Sequence, residues 1–365
     1  MKILFLAPLE RKITPTVTAS RPRVVFDLAM GLKQRGHKVT ILGTADSRLS
    51  GIKVIPVIKR GFYELNSQFE NPFCADISFL AKQAKMAQDI SGQFDIIHNH
   101  AKPEFINILM SQNIKTPFLS TLHLPIFKEI DETLSMFPKA KLVCHSASAK
   151  KMAKKTKIYK VIPLGVDTRL YKFSAQKDNY LFWLGRLGKA KDKNGKFSDP
   201  KGVKWAIQLA KQTNSNLLLS GNVEDKAFFE QEVRPHLSKN IKWIGKVSFE
   251  QPLSKTEVAK IMRKAKAFLM TTQLPETFGL VMAEAQSCGT PVIGFKIGAV
   301  PEIITNNKTG FIVEPKEGIA GLKGALAKIE KINPADCRAR VEKYFTLEKM
   351  VSSYEKTYQE LIATN

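Results

Sequence analysis

Short β-rich runs alternate with stretches of helical period along the whole chain, and the alternation comes in two separate series. This pattern narrows the fold sharply. A strand, an amphipathic helix and a second strand in succession return the chain in one direction, building a parallel sheet with helices on its faces. In the first series the strand-like runs are Lys2–Ala7, Lys38–Leu42, Lys53–Val57, Asp95–His98, Phe118–Leu122 and Leu142–Cys144. A helix with apolar Val24, Val25, Leu28 and Leu32 joins the first two and stops at Arg35-Gly36. The second series reads Tyr180–Leu184, Leu217–Ser220, Ile241–Ile244, Ala267–Met270, Pro291–Gly294 and Gly310–Val313, with a helix carrying Val203, Ala206, Ile207 and Ala210. The change-over falls near Pro163–Phe173, and 365 residues suit two such domains. A last helix with Leu347, Met350, Val351, Tyr354, Tyr358 and Leu361 carries an apolar stripe that must pack on one of them.

Composition excludes several classes. Cys74, Cys144, Cys288 and Cys337 are far apart, without C-x-x-C or metal-ligand spacing, which argues against a disulfide scaffold or a zinc site. No apolar run reaches the roughly 18–20 residues a bilayer requires. The apolar Ile3–Leu9 run meets Glu10, Arg11 and Lys12 at once and reads as a buried strand rather than a signal peptide, so the expected location is cytoplasmic. The net charge of +24 points to an anionic partner: a membrane surface, an acidic substrate such as a nucleotide-sugar, or nucleic acid.

The densest chemistry lies in Leu274–Gly289, LPETFGLVMAEAQSCG. Pro275, Glu276 and Thr277 favour a turn and Val281–Ser287 a helix, so the amides of Phe278, Gly279 and Leu280 become the unsatisfied donors of a helix start, suited to phosphate oxygens. Glu276 then lies just outside the helix and Glu284 inside it, both able to face one ligand. The plain alternative is a solvated carboxylate and a surface salt bridge.

This segment resembles the E-x7-E signature of family 4 glycosyltransferases, with Glu276 and Glu284 as its acids. The resemblance runs on through TPVIGFKIGAVPEII and NNKTGFIVEP, and RGHKVTIL, DIIHNH, STLH, VIPLGVDTRLYKF and WLGRL stand in the order that family shows. It implies the GT-B fold: two Rossmann-like β/α/β domains facing each other across a cleft. Here they are residues 1–167 on the acceptor side, completed by a C-terminal helix over 346–365, and residues 168–345 for the nucleotide-sugar. It implies a retaining transfer from a nucleotide-diphosphate sugar, UDP- or GDP-linked, with no metal and no further cofactor. Carried over by position, Glu284 bonds the ribose hydroxyls and Glu276 a hydroxyl of the transferred sugar. The amides at Phe278, Gly279 and Leu280 meet sugar and phosphate, Arg186 grips the diphosphate, and His123 in STLH sits beside the sugar. Fixed cations at a leaving diphosphate make sense, because its charge grows as the glycosidic bond breaks. Taken singly, Arg186 reads as an exposed ion pair and His123 as structural. His98 and His100 share one face of a strand, a metal pair lacking a third ligand.

Two places depart from that pattern. The glycine-pair loop after the first strand is replaced by ITPTVTASRP, where Arg21 supplies charge in place of bare amides, or the site is altered. The absence of G-x-G-x-x-G also argues against a dinucleotide cofactor. The diphosphate lysine fits Lys201, in Pro200-Lys201-Gly202, after an insertion holding Lys189, Lys191, Lys193 and Lys196; Lys189 is the second choice.

Lys139, Lys141, Lys150, Lys151, Lys154, Lys155, Lys157 and Lys160 crowd one stretch, part of it a helix through A-S-A-K-K-M-A-K-K. That face suits an anionic membrane and hence a lipid-linked acceptor, as does the cation-plus-aromatic segment Lys59–Tyr63. A merely solubilising face is the alternative. Rival readings of the whole chain are a same-fold epimerase or phosphorylase, and a basic membrane or nucleic-acid binder with a degenerate site. No interleaved aromatic–basic motif of a nucleic-acid module supports the last.

Overall fold

The computed structural model describes the chain except residues 66–67, 190, 193, 250–252 and 365. It divides into two compact units, Met1–Gly165 with Leu347–Asn365, and Val166–Thr346.

The first unit is built on a parallel sheet of β1 (Lys2–Leu6), β2 (Lys38–Thr44), β3 (Lys53–Ile58), β4 (Ile96–Asn99), β5 (Phe118–Thr121), β6 (Lys141–Cys144) and β7 (Lys160–Val161), in the order β3-β2-β1-β4-β5-β6-β7. Ile3, Leu4, Phe5 and Leu6 are all fully buried. A parallel strand is covered on both faces, so β1 is continuously apolar rather than alternating. Each such side chain stabilises the fold by about 1.5–3 kcal/mol. Helix Ser20–Gln34 buries Val24, Val25, Leu28 and Leu32, the predicted stripe.

Helix Leu347–Ala363 is part of this unit. It buries Met350, Val351, Tyr354, Tyr358 and Leu361. Tyr354 and Tyr358 place their hydroxyls 3.1 Å from Thr121 Oγ1 and 2.6 Å from His98 Nδ1. Glu355 accepts from Arg35 at 2.7 Å and pairs with His37 at 2.6 Å.

The second unit holds β8 (Leu181–Leu184), β9 (Leu217–Ser220), β10 (Ile241–Trp243), β11 (Ala267–Met270), β12 (Val292–Phe295) and β13 (Gly310–Val313), all parallel, in the order β10-β9-β8-β11-β12-β13. In both units the winding reverses beside the first strand, between β1 and β4 and between β8 and β11. Such a switch point opens a crevice outside the carboxyl ends of its two strands.

Three local readings change. β7 was missed because two residues show no alternation. The predicted lysine-rich helix stops at Met152, because the Asp131 carboxylate accepts from the amides of Lys154, Lys155 and Thr156 at 2.8–2.9 Å and holds them in a loop. In Lys59–Tyr63, Phe62 is buried and stacks on Phe69 at 5.5 Å, leaving Tyr63 as the exposed ring.

Candidate functional site

In the second unit the chain leaves β8 through Gly185 and Arg186 and leaves β11 through Thr271 and Thr272, so both strands of the switch point open onto one place. Lys201 is held against it by Gly202. That residue has φ +73°, and a Cβ on it would stand 1.7 Å from Thr271 O, so glycine alone fits there. Thr271 Oγ1 donates to Gly202 O at 2.6 Å and fixes the contact.

Helix Leu280–Ser287 begins after Gly279, whose φ of +79° turns the chain sharply into it. Its N-cap residue Gly279 offers no side-chain cap, and its first turn holds no acidic residue. By contrast, helix Val203–Thr213 is already capped: Asp199 accepts from the amides of Gly202, Val203 and Lys204 at 2.8–3.1 Å. Burial raises the Asp199 pKa, and those amides oppose the rise. With no carboxylate in its first turn, the start at Leu280 suits an anion better than the start at Val203, where Asp199 already takes the amides. Phe278 contributes only its amide there, because its side chain is 1% exposed and packs edge-on against Phe345 at 5.5 Å.

Glu276 forms an ion pair with Lys201. The two side chains assigned from sequence to sugar and diphosphate are therefore brought together and neutralise each other. The backbone of Glu276 is fixed separately, its carbonyl accepting from Ala299 N at 3.0 Å. Glu284 is 2% exposed. Its Oε1 is 2.5 Å from Lys255 Nζ, while Oε2 is buried without a hydrogen-bond partner among the described residues. A buried carboxylate with one oxygen neutralised and the other open suits a ligand that brings hydroxyl donors.

Arg186 follows β8 with its side chain 58% exposed and, among the described residues, only a long contact to Glu224 Oε2, 3.4 Å. It is free to swing toward an anion. Lys189 is exposed and lies further along the same loop, whereas Lys201 is half-buried beside Glu276. Lys191 rests over the Phe197 ring at 5.2 Å, and Lys193 lies outside the described residues.

In the first unit Arg21 stands in the first turn of helix Ser20–Gln34, whose N-cap Ala19 makes no side-chain cap bond. Arg21 donates to Glu10 Oε1 at 2.9 Å, and Lys102 lies 3.3 Å from the same oxygen. Glu10 thus offsets the charge that the missing glycine loop was expected to draw from Arg21.

His123 is hydrogen bonded through both ring nitrogens, to His100 at 3.0 Å and to His145 at 3.3 Å. His98 engages Tyr358 at 2.6 Å and Thr121 at 2.7 Å. With both of its nitrogens committed to the final helix and β5, His98 does not form a metal pair with His100; its job is to hold that helix. Burial lowers the pKa of all four histidines.

Sequence reasoning missed Lys255, Asp199 and His145. Lys255 and Asp199 carry no local signal. His145 did, since it directly follows the predicted strand Leu142–Cys144, just as His123 follows Phe118–Leu122.

Two doubly wound parallel domains, one carrying a glycine-led helix start with acids and cations beside its switch point, define a GT-B glycosyltransferase. Residues 22–170 match the Glycosyltransferase Family 4 description and residues 172–345 match Glycosyl transferases group 1. The N-acetyl-alpha-D-glucosaminyl L-malate synthase of Bacillus anthracis is 25% identical, with 92% of each chain covered. The phosphatidyl-myo-inositol mannosyltransferase of Mycolicibacterium smegmatis is 23% identical, covering 84% of this chain and 79% of that one. Among solved structures, sucrose-phosphate synthase from Thermosynechococcus elongatus gives a TM-score of 0.76 at 17% identity over 100% of both chains. Anabaena HepE in complex with UDP and glucose gives 0.69 at 18% identity, covering 99% of this chain and 100% of that one. The chain belongs to the family 4 glycosyltransferases, enzymes of sugar transfer.

Proposed function

We propose that the chain moves a hexose-type sugar from a nucleotide-diphosphate sugar, UDP- or GDP-linked, to a glycan, lipid-linked or small-molecule acceptor, with retention and without a metal ion. One observation carries this: the start of helix Leu280–Ser287, with Glu284 inside it holding one oxygen without a partner among the described residues, and the Lys201–Glu276 pair belong to the segments that follow β8 and β11. The open oxygen of Glu284 accepts a ribose hydroxyl. The amides from Phe278 to Leu280 receive phosphate oxygens. Arg186 and Lys201 stabilise the charge that builds on the leaving diphosphate, the work a metal ion performs elsewhere. When the diphosphate takes Lys201, the Glu276 carboxylate is released to a sugar hydroxyl, so binding of one half of the donor readies the group for the other. Relatives support the donor class, since HepE is seen with UDP and glucose. Retention and the role of His123 beside the sugar follow the family resemblance.

Thermal-shift and calorimetric titration against UDP, GDP and ADP and their sugar derivatives tests the donor, and the anomeric proton of the product tests retention. Activity that a chelator abolishes and added metal restores would overturn the metal-free reading.

The acceptor reading has its own support. Asp131 and Glu132, on helix Lys128–Ser135, bind the loop of Lys154 and Lys155, so helix and lysine cluster form one surface. Phe127 and Met136 flank that helix and are 58% and 76% exposed. Exposed apolar side chains beside a dense cluster of lysines suit an anionic bilayer. Among the described residues no helix is long and apolar enough to cross a membrane. We place the enzyme at the cytoplasmic membrane face, acting on a lipid-linked acceptor.

A further inference from the structure

His100, His123 and His145 follow β4, β5 and β6 within two residues, so three neighbouring parallel strands deliver three imidazoles to one end of one sheet. Their nitrogens form an unbroken series. Ile162 O is 3.1 Å from His145 Nδ1, His145 Nε2 is 3.3 Å from His123 Nδ1, and His123 Nε2 is 3.0 Å from His100 Nδ1. The last nitrogen, His100 Nε2, is buried with no hydrogen-bond partner among the described residues.

A carbonyl oxygen only accepts, so His145 Nδ1 carries a proton. A neutral imidazole has one N–H; His145 Nε2 is therefore an acceptor, and the proton of its bond sits on His123 Nδ1. The same step repeats: His123 Nε2 accepts, His100 Nδ1 donates, and His100 Nε2 is a bare lone pair. One backbone carbonyl thus sets the proton positions of three rings. Burial keeps the rings neutral, holding His100 down to about 3, with the charge of Arg21 adding to it, and His145 down to about 4.

We propose that His100 and His145 are positioning residues that lock His123 as its Nδ1–H tautomer, so that it meets a sugar hydroxyl with an acceptor at Nε2 and not with an N–H. The proposal rests on the reading that a sugar hydroxyl comes to His123. A hydroxyl fits this bond because it inserts both ways, accepting from His100 Nδ1–H and donating to His123 Nε2. A fluorine in its place accepts only and leaves Nε2 unpaired.

Nitrogen-15 spectroscopy of the full chain with labelled histidine reads each ring directly. At pH 7, His100, His123 and His145 are expected protonated at Nδ1 and bare at Nε2, the reverse of the tautomer that free imidazole side chains favour in water. His145→Phe keeps a ring in place and removes the acceptor. Nε2–H is then expected to appear on His123, with kcat down about tenfold, the worth of one hydrogen bond. Affinity for nucleoside diphosphate alone, assigned to residues of the second unit, is expected to stay within about twofold, while a deoxyfluoro donor loses most of its disadvantage. Nε2–H on wild-type His123 overturns the proposal, and the wild-type spectrum decides this even if the variant fails to fold. A variant with shifted tautomer but unchanged kcat overturns the positioning role. A wild-type chain with these tautomers that binds no nucleotide-sugar overturns the donor reading, and with it the role, by a separate readout.

Discussion

Lys255 Nζ lies 2.5 Å from Glu284 Oε1, tying the first turn of helix Lys255–Lys264 to the interior of helix Leu280–Ser287. The backbone of that first turn is fixed, since Ser254 and Glu257 form a reciprocal cap at the helix start. Glu284 is 2% exposed, and Lys255 supplies the opposite charge that offsets the desolvation of a buried acid. Lys255→Met is expected to cost about 3 kcal/mol of stability, and adding Glu284→Gln to recover most of it. A double-mutant cycle on Tm measures this; independent, additive losses would show that the pair carries no coupling. Glu284→Ala is expected to weaken nucleoside diphosphate binding about tenfold or more in calorimetry.

Lys201 and Glu276 make a competing pair at the same site. Glu276→Gln removes the charge that holds Lys201, so nucleoside diphosphate alone is expected to bind a few-fold tighter while sugar transfer falls by about a hundredfold. Calorimetry with the nucleotide and turnover with the nucleotide-sugar give the two numbers. Weaker nucleotide binding in this variant would mean that Lys201 does not exchange partners.

Arg186 is poorly paired and stands at the end of β8, whereas Lys189 is exposed further along the loop. Arg186→Ala is expected to lower turnover by about a hundredfold and Lys189→Ala by less than about threefold. The opposite ranking in steady-state assays would move the diphosphate contact to Lys189.

The buried histidines make stability fall in acid. His100 and His145 titrate at about 3 and about 4 when folded, against 6.5 when unfolded, because burial disfavours their cations. Between those limits the unfolded chain binds more protons than the folded one, so stability rises with pH in that window. Above 6.5 both forms are neutral and the contribution is flat. Tm is expected to drop from pH 7 to pH 5, and to drop less steeply in His145→Phe. Equal slopes for the two proteins would remove His145 from the account.

The lysine surface of the first unit is expected to bind vesicles containing anionic lipid and to ignore zwitterionic ones, more weakly as salt rises. Lys150→Glu with Lys151→Glu and Lys154→Glu is expected to lower partitioning by about a hundredfold or more, at about 1 kcal/mol per cation. Phe127→Ser is expected to lower it further. Partitioning that is unaffected by the charge reversals would assign the lysines to solubility alone.

Much of this protein is written in its sequence. The two strand–helix series were legible because strands covered on both faces must be continuously apolar, and β1, β8, β11 and β12 follow that rule. The start of helix Leu280–Ser287 was legible too, because Pro275, Gly279 and the small apolar run act through the backbone within a few residues. Both signals are local, and local signals survive in a linear text.

Pairing between distant side chains was decided by the tertiary structure alone. Lys255 reaches Glu284 across 29 positions, Lys201 reaches Glu276 across 75, and Asp131 ends a helix predicted to run past Met152. Nothing in the order of residues marks these partners, since each meeting depends on how a parallel crossover returns the chain to the sheet. The histidine series shows the boundary between the two. A strand-end position can be read from sequence, but the adjacency of β4, β5 and β6 that turns three such positions into one hydrogen-bonded line exists only once the sheet has formed.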